Sequence, residues 1–250
     1  MKRIYLVALM VTSVFLLAAS SAPALADIPL ITSGSGDDAQ QYSLKLELLI
    51  LLTALSFLPA FVLMTTCFAR IIIVLAILRQ ALGLQQSPPN QILLGIAIAL
   101  TLLIMRPVWT QVYDEAFVPY QNGEISLIEG IEIAESPVRE FMVKHTHRRA
   151  LEQMAQIADL DPATDIEEIP FTVLLPAFAL SEITTAFQIG FIIFIPFLII
   201  DMIVASVLMS MGMMMLSPLI ISLPFKLIIF VLVDGWTLIV GSITASFGGG

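Results

Sequence analysis

"LLPAFALSEITTAFQIGFIIFIPFLIIDMIVASVLMSMGMMMLSP", residues 174–218, holds two acidic side chains, Glu182 and Asp201, and no lysine or arginine. A helix that crosses a bilayer needs about 20 consecutive, mostly apolar residues. This stretch exceeds that, and the apolar character runs on in both directions, from Phe171 to Phe247. Pro176, Pro196, Pro218 and Pro224 punctuate the run. Their spacing predicts two long membrane helices joined near "MMMLSPLIISLP" (213–224), with a shorter helix or kinked segment at 171–187. The whole chain agrees: 58% of its residues are apolar and 12% charged, where a soluble domain has about 45–50% and about 25%. The fold class this implies is all-α, built of long, kinked, membrane-associated helical hairpins. A net charge of −9 argues against a nucleic-acid partner, because such proteins need basic surface to displace counterions from phosphates.

Outward from that stretch, four further segments separate. Residues 1–26 read as a cleavable signal peptide: Lys2 and Arg3, then an apolar run from Ile4 to Ala19, then Ala24-Leu25-Ala26 with small residues where a signal peptidase needs them. Cleavage between Ala26 and Asp27 leaves a mature charge of −11, since 9 basic and 20 acidic residues remain. Residues 27–43 form a polar lead in which "TSGSGDD" has no periodicity. Residues 44–109 form a first helical hairpin. Its opening apolar run, Leu44 to Leu78, would extend about 52 Å as one helix, well beyond a hydrocarbon core of about 30 Å. Pro59 is the expected kink. Gly83 and Pro88-Pro89 end the run, and a second helix is expected from Ile92 to about Trp109. Residues 110–170 hold 13 of the 20 acidic residues and 4 basic ones. They read as a small acidic helical module outside the membrane, with helices near 125–135 and 137–158. Ser136 and Pro137 are placed to start the second. Residues 171–250 complete the chain as the second hairpin. A cleaved signal puts Asp27 outside, Arg70 and Arg79 then flank an inner turn as the positive-inside rule asks, and the acidic module falls outside.

Charges inside the apolar second half attract attention because each costs about 2.5–3.5 kcal/mol at a bilayer centre. Glu182, Asp201, Lys226 and Asp234 are of this kind. Glu182 and Lys226 have opposite sign and lie on different helices, so an ion pair within or between subunits is expected of them. The rest of the chemistry is sparse. His145 and His147 form H-x-H, about 200° apart around a helix of 3.6 residues per turn, so they do not converge on one metal. "VKHTHRRALE" lacks the H-E-x-x-H pattern of zinc proteases. No G-x-S-x-G turn and no phosphate-binding glycine loop occur. No enzyme, no cofactor and no metal site is expected. The sole cysteine, Cys67, lies in an apolar run and reads as a buried small hydrophobe. Five of the twelve methionines, Met209, Met211, Met213, Met214 and Met215, cluster around Gly212. Composition alone suits either ordinary packing or a soft closure there.

Three strings in this order, "FARIIIVLAILRQALGLQQSPPNQ" (68–91), the stretch quoted above, and "LPFKLIIFVLVDGW" (223–236), closely resemble the FliP family of flagellar biosynthetic proteins in the type III export gate. The resemblance covers nearly the whole mature chain. Injectisome proteins share the plan, and "PPNQ" with a cleavable signal looks more like the flagellar branch. The resemblance implies a core subunit that assembles with FliQ and FliR, with about five copies of itself, and near FlhB and FlhA. The implied assembly is a helical cone in the bacterial inner membrane at the flagellar basal body, with much of its mass raised toward the periplasm, so that its helices need not be simple spans. It implies a channel for unfolded export substrates, sealed by the methionines at 209, 211, 213, 214 and 215. A small-solute channel would instead need a self-sufficient pore with substrate-binding polar groups, of which this chain has few. A purely structural scaffold would tolerate replacement of the methionines.

Overall fold

The computed structural model describes residues 49, 52–53, 56–57, 59–84, 87–160, 168–213 and 216–248. The expected signal peptide with Ala26 and Asp27, the polar lead, Met214 and Met215 lie outside the described residues. The chain divides into two compact units, residues 1–63 and 64–250. The described residues of the first unit are helical. Those of the second are helices and turns, with no strand among them.

Pro59 lies within helical residues, and the interruption falls instead at Thr65–Cys67. Adjacent threonine hydroxyls compete for backbone groups and favour helix ends, so the break moves to them. Helix α1 (Phe68–Ala81) follows. Ile71, Val74, Leu75 and Leu78 form a buried stripe at helical spacing. Gly83 ends the helix at φ +75, in the left-handed region where a Cβ is penalised. Leu84 N–H donates to Arg79 O at 3.2 Å and Gly83 N–H to Gln80 O at 3.0 Å, the paired bonds of a Schellman ending. Arg79 then ties the loop, donating to Asn90 Oδ1 at 2.5 Å and Pro88 O at 3.4 Å. Helix α2 (Asn90–Ile104) returns against α1.

The expected straight run to Trp109 bends by 59°. Met105 caps α2, and α3 (Arg106–Val112) begins with Pro107 in its first turn. Proline has no N–H to continue the ladder and its ring crowds the preceding turn. A π-helical turn (Tyr113–Phe117) and α4 (Val118–Gln121) follow.

Helix α5 spans Leu127–His145 without interruption, so Ser136 and Pro137 do not open a helix as expected. The start belongs to Ser126. Its Oγ accepts from Glu129 N–H at 3.3 Å, while Glu129 Oε2 accepts from Ser126 N–H at 2.7 Å. This capping box satisfies two orphan donors at once. The break comes at Thr146–His147, and α6 (Arg148–Ile157) follows.

Helix α7 is a single 40-residue element, Phe171–Ser210. Pro176 and Pro196 were expected to divide it; both lie inside it, on its exposed side. A proline removes one ladder bond and bends a helix, but the apolar runs either side keep the ladder going here. The first half of α7 shares a core with α5 and α6, formed by Met142, Leu151, Ile169, Leu174, Ala177 and Phe178. Its middle packs on α1, closely enough that a Cβ at Gly190 would lie 2.4 Å from Ile77 Cδ1. Helix α8 (Pro218–Leu232) packs back on α7, and α9 (Gly235–Gly248) leaves α8 at 66°. At that corner a Cβ on Gly235 would lie 2.2 Å from the Phe230 ring, so only glycine fits. Of the most apolar stretch of α7, only 11% is buried within the chain.

Candidate functional site

Three features stand along α7: a buried ion pair, a second pair at another height that joins a buried lysine to a half-buried aspartate, and an exposed methionine turn at its end. Glu182 is fully buried in the first half of α7. Its partner is Arg70 of α1. Arg70 Nε donates to Glu182 Oε2 at 3.0 Å and Nη2 donates to Oε1, a bidentate fork. The remaining Arg70 donor, Nη1, reaches Ser246 Oγ at 3.0 Å and Ser246 O at 3.3 Å on α9. Arg70 Cζ lies 3.8 Å from the centroid of the Phe247 ring, a cation–π contact. One guanidinium therefore fastens α1, α7 and α9.

Next to this pair is an aromatic group from α5 and α9. The His145 ring lies 4.5 Å from Phe141 and 5.3 Å from Phe247, between centroids. Its Nδ1 is 2.8 Å from Phe141 O. Burial depresses the His145 pKa from the usual 6.5. The Phe141 carbonyl opposes that shift, and the positive charge of Arg70 adds to it. His147 faces elsewhere. Its N–H donates to Ser181 Oγ at 2.9 Å, and its Nε2 lies 3.0 Å from Thr185 Oγ1.

The second ion pair is lower on α7. Lys226 of α8, 2% exposed, donates to Asp201 Oδ2 at 2.6 Å and to Ala81 O at 3.0 Å. Asp201 Oδ1 accepts from Ser222 Oγ at 2.5 Å. These charges sit in a cleft of about 700 Å³ between α1, α7 and α8, whose lining includes Ile73, Ile77, Arg79 and Phe187. Glu182 and Lys226 thus do not pair with each other within the chain, as the sequence suggested. Lys226 meets α7 at Asp201, 19 residues beyond Glu182, and a helix rises about 28 Å over that span. The sequence reasoning missed Arg70 and Asp201 as the partners. Ser222 and Lys226, four residues apart and so on one helix face, were the available signal for the lower group.

The methionine turn closes α7. Met213 N–H donates to Leu208 O and Gly212 N–H to Met209 O, both at 3.0 Å, with Gly212 at φ +72. This is a second Schellman ending. Met209 and Met211 are 64% and 65% exposed, and Met213 is half-buried. Among the described residues, its two chain neighbours aside, no heavy atom lies within 4 Å of where a Gly212 Cβ would be. The turn therefore presents flexible thioethers outward from the tip of a long apolar helix.

Comparison with known proteins returns one consistent kinship. Residues 51–243 match the model of the FliP family. The flagellar biosynthetic protein FliP of Pectobacterium carotovorum is 52% identical over 218 residues, 87% of this chain and 84% of that protein. FliP of Bacillus subtilis is 52% identical over 213 residues, 85% of this chain and 96% of that one. FliP of Caulobacter vibrioides is 49% identical over 201 residues, 80% and 76% of the two chains.

Proposed function

The chain belongs to the FliP family of flagellar biosynthetic proteins, components of type III export, and we propose that it is a core subunit of the export gate itself. In this reading several copies join FliQ and FliR, beside FlhA and FlhB, to enclose a channel for unfolded flagellar proteins. The gate stands in the inner membrane with much of its mass toward the periplasm, and the mature chain starts at Asp27. The methionine turn of each copy faces the channel axis. Unbranched thioethers close a ring without a fixed jigsaw fit and yield to a passing chain of any sequence.

The observation that carries this reading is the exposed turn at the end of α7: Met209 and Met211 project freely from a helix whose apolar surface its own chain leaves uncovered. Glu182 and Lys226 contribute differently. Each is neutralised by an internal partner, so they set the shape that a copy offers its neighbours. The experiment is native mass spectrometry of the chain purified with co-expressed FliQ and FliR. A complex holding several copies, each with the mass of a chain beginning at Asp27, is expected. A single copy per complex would overturn the gate reading, and retention of Met1 would overturn the cleavage.

A further inference from the structure

A groove of about 190 Å³ opens between α3, the π-helical turn, α4 and α5. Val112, Ala116, Phe117, Tyr120, Ile131 and Ala134 are among its lining residues. Its volume is that of a cavity able to take a benzene-sized group (about 150 Å³) with some room to spare. Beside it α5 leaves Leu127, Ile128 and Ile131 mostly exposed. Lipid is a poor cover for this patch, because the same elements and the turn before α5 also carry the exposed Asp114, Glu115, Glu124, Glu129 and Glu132 and carboxylates are costly in hydrocarbon. An apolar patch inside a polar rim marks a protein contact. The occupant should bring one bulky apolar side chain and positive charge.

The same chain exposes that combination on α6. Ile157 is 70% exposed. Arg149 is exposed, with no ion pair among the described residues. The two are eight residues apart, about 12 Å along the axis and about 80° around it, so one docking face can hold both. The α5 side of the groove, Leu127 to Ala134, is about 10 Å long by the same rise. We propose that the groove receives the exposed α6 face of a second copy of this chain, with Ile157 seated in it and Arg149 against its acidic margin. Groove-to-groove pairing would set carboxylates against carboxylates, which disfavours a two-fold dimer. Groove-to-α6 contact is head-to-tail. It leaves one free groove and one free α6 on every pair, so it propagates into a ring or a helix. The proposal rests on the multi-copy reading above and gives it an interface.

Two differently tagged copies test it, both with Cys67→Ala, one carrying Ile131→Cys and the other Ile157→Cys. They are co-expressed with FliQ and FliR and treated with a short bismaleimide. A mixed-tag dimer is expected as the main product, and Arg149→Glu on the Ile157→Cys copy should remove most of it. Ile157→Cys is a surface change, so native mass spectrometry should find the complex still assembled. Predominant linkage of Ile131→Cys to itself, or to another subunit, would overturn the proposal. So would absence of the mixed-tag product in a complex that contains several copies, and there the gate reading stands. A complex with a single copy would defeat both.

Discussion

Arg70 and Glu182 are both shielded from solvent, at 3% and 0% exposure. Their worth lies in completeness. Every guanidinium nitrogen of Arg70 has an acceptor, on Glu182 or Ser246. Removing one partner of such a pair leaves an unpaired buried charge, costing about 3–5 kcal/mol, whereas replacing both with apolar groups of similar volume is often neutral. Arg70→Ala or Glu182→Ala should therefore lower the thermal midpoint of the detergent-solubilised protein sharply, and Arg70→Met with Glu182→Leu should recover most of the loss. Equal damage from the double replacement would place the cost elsewhere. His145 gives a second residue-scale expectation. Its folded pKa is depressed below 6.5, chiefly by burial. Below that value the unfolded chain binds a proton that the folded chain resists, so this contribution is complete above pH 6.5 and fades as pH falls. The thermal midpoint of wild type should drop more between pH 8 and pH 5.5 than that of His145→Gln. Identical profiles would remove His145 as the cause. From sequence, the cost of Glu182 in apolar surroundings was legible, but its partner was not. Arg70 and Glu182 are 112 residues apart, and charge alone did not say which of several opposite charges would meet which.

At the scale of elements, prolines and glycines spoke unequally. Gly83 ends a helix as expected, because φ +75 is cheap only without a Cβ. Pro176 and Pro196 did not end α7, because a proline's missing bond on an exposed helix side costs a bend and the flanking apolar residues keep their ladder. Ser126 with Glu129 has the spacing of a capping box and starts α5, whereas Pro137 lies inside it. The methionine turn is an element in the same sense, since Gly212 fixes where α7 stops and which thioethers project. Replacing Met211, Met213, Met214 and Met215 with alanine removes three heavy atoms from each side chain, and several copies would multiply that loss around a channel. A widened apolar constriction hydrates and passes ions. Cells expressing the assembled gate should then admit sodium or potassium, while leucine at the same positions should hold ions back and slow export. Normal ion exclusion by a fully assembled alanine variant would return these side chains to ordinary packing.

At the scale of the whole molecule the question is whether lipid or protein covers its exposed apolar surface. Helix α7 has 40 residues, about 60 Å at 1.5 Å per residue, and its exposed apolar side chains run from Phe187 through Phe191, Ile195 and Ile199 to Ile203 and Val207. A hydrocarbon core of about 30 Å covers about 20 residues of an upright helix. Even at a tilt of about 40°, the upper end of the observed range, it covers about 26. A third or more of α7 must therefore lie beyond the lipid; its start is already covered by α5 and α6, and the exposed run from Phe187 to Val207, about 30 Å of rise, is the part that lipid or neighbouring protein has to cover. Hydropathy made membrane association legible and the all-helical class with it. It weighs both kinds of cover alike; the breaks expected in the 40-residue helix came from its prolines. Spin labels at positions 187, 191, 195, 199, 203 and 207, placed one at a time in the Cys67→Ala chain, report lipid contact through collision with dissolved oxygen. In the chain assembled with FliQ and FliR, oxygen access should be low at most of these positions. It should rise when the same labels are measured on the chain extracted alone into detergent. High access at all six positions in the assembled complex would mean that lipid covers this face throughout. α7 would then be a conventional span over residues 187–207, and the case for neighbouring copies along it would fail.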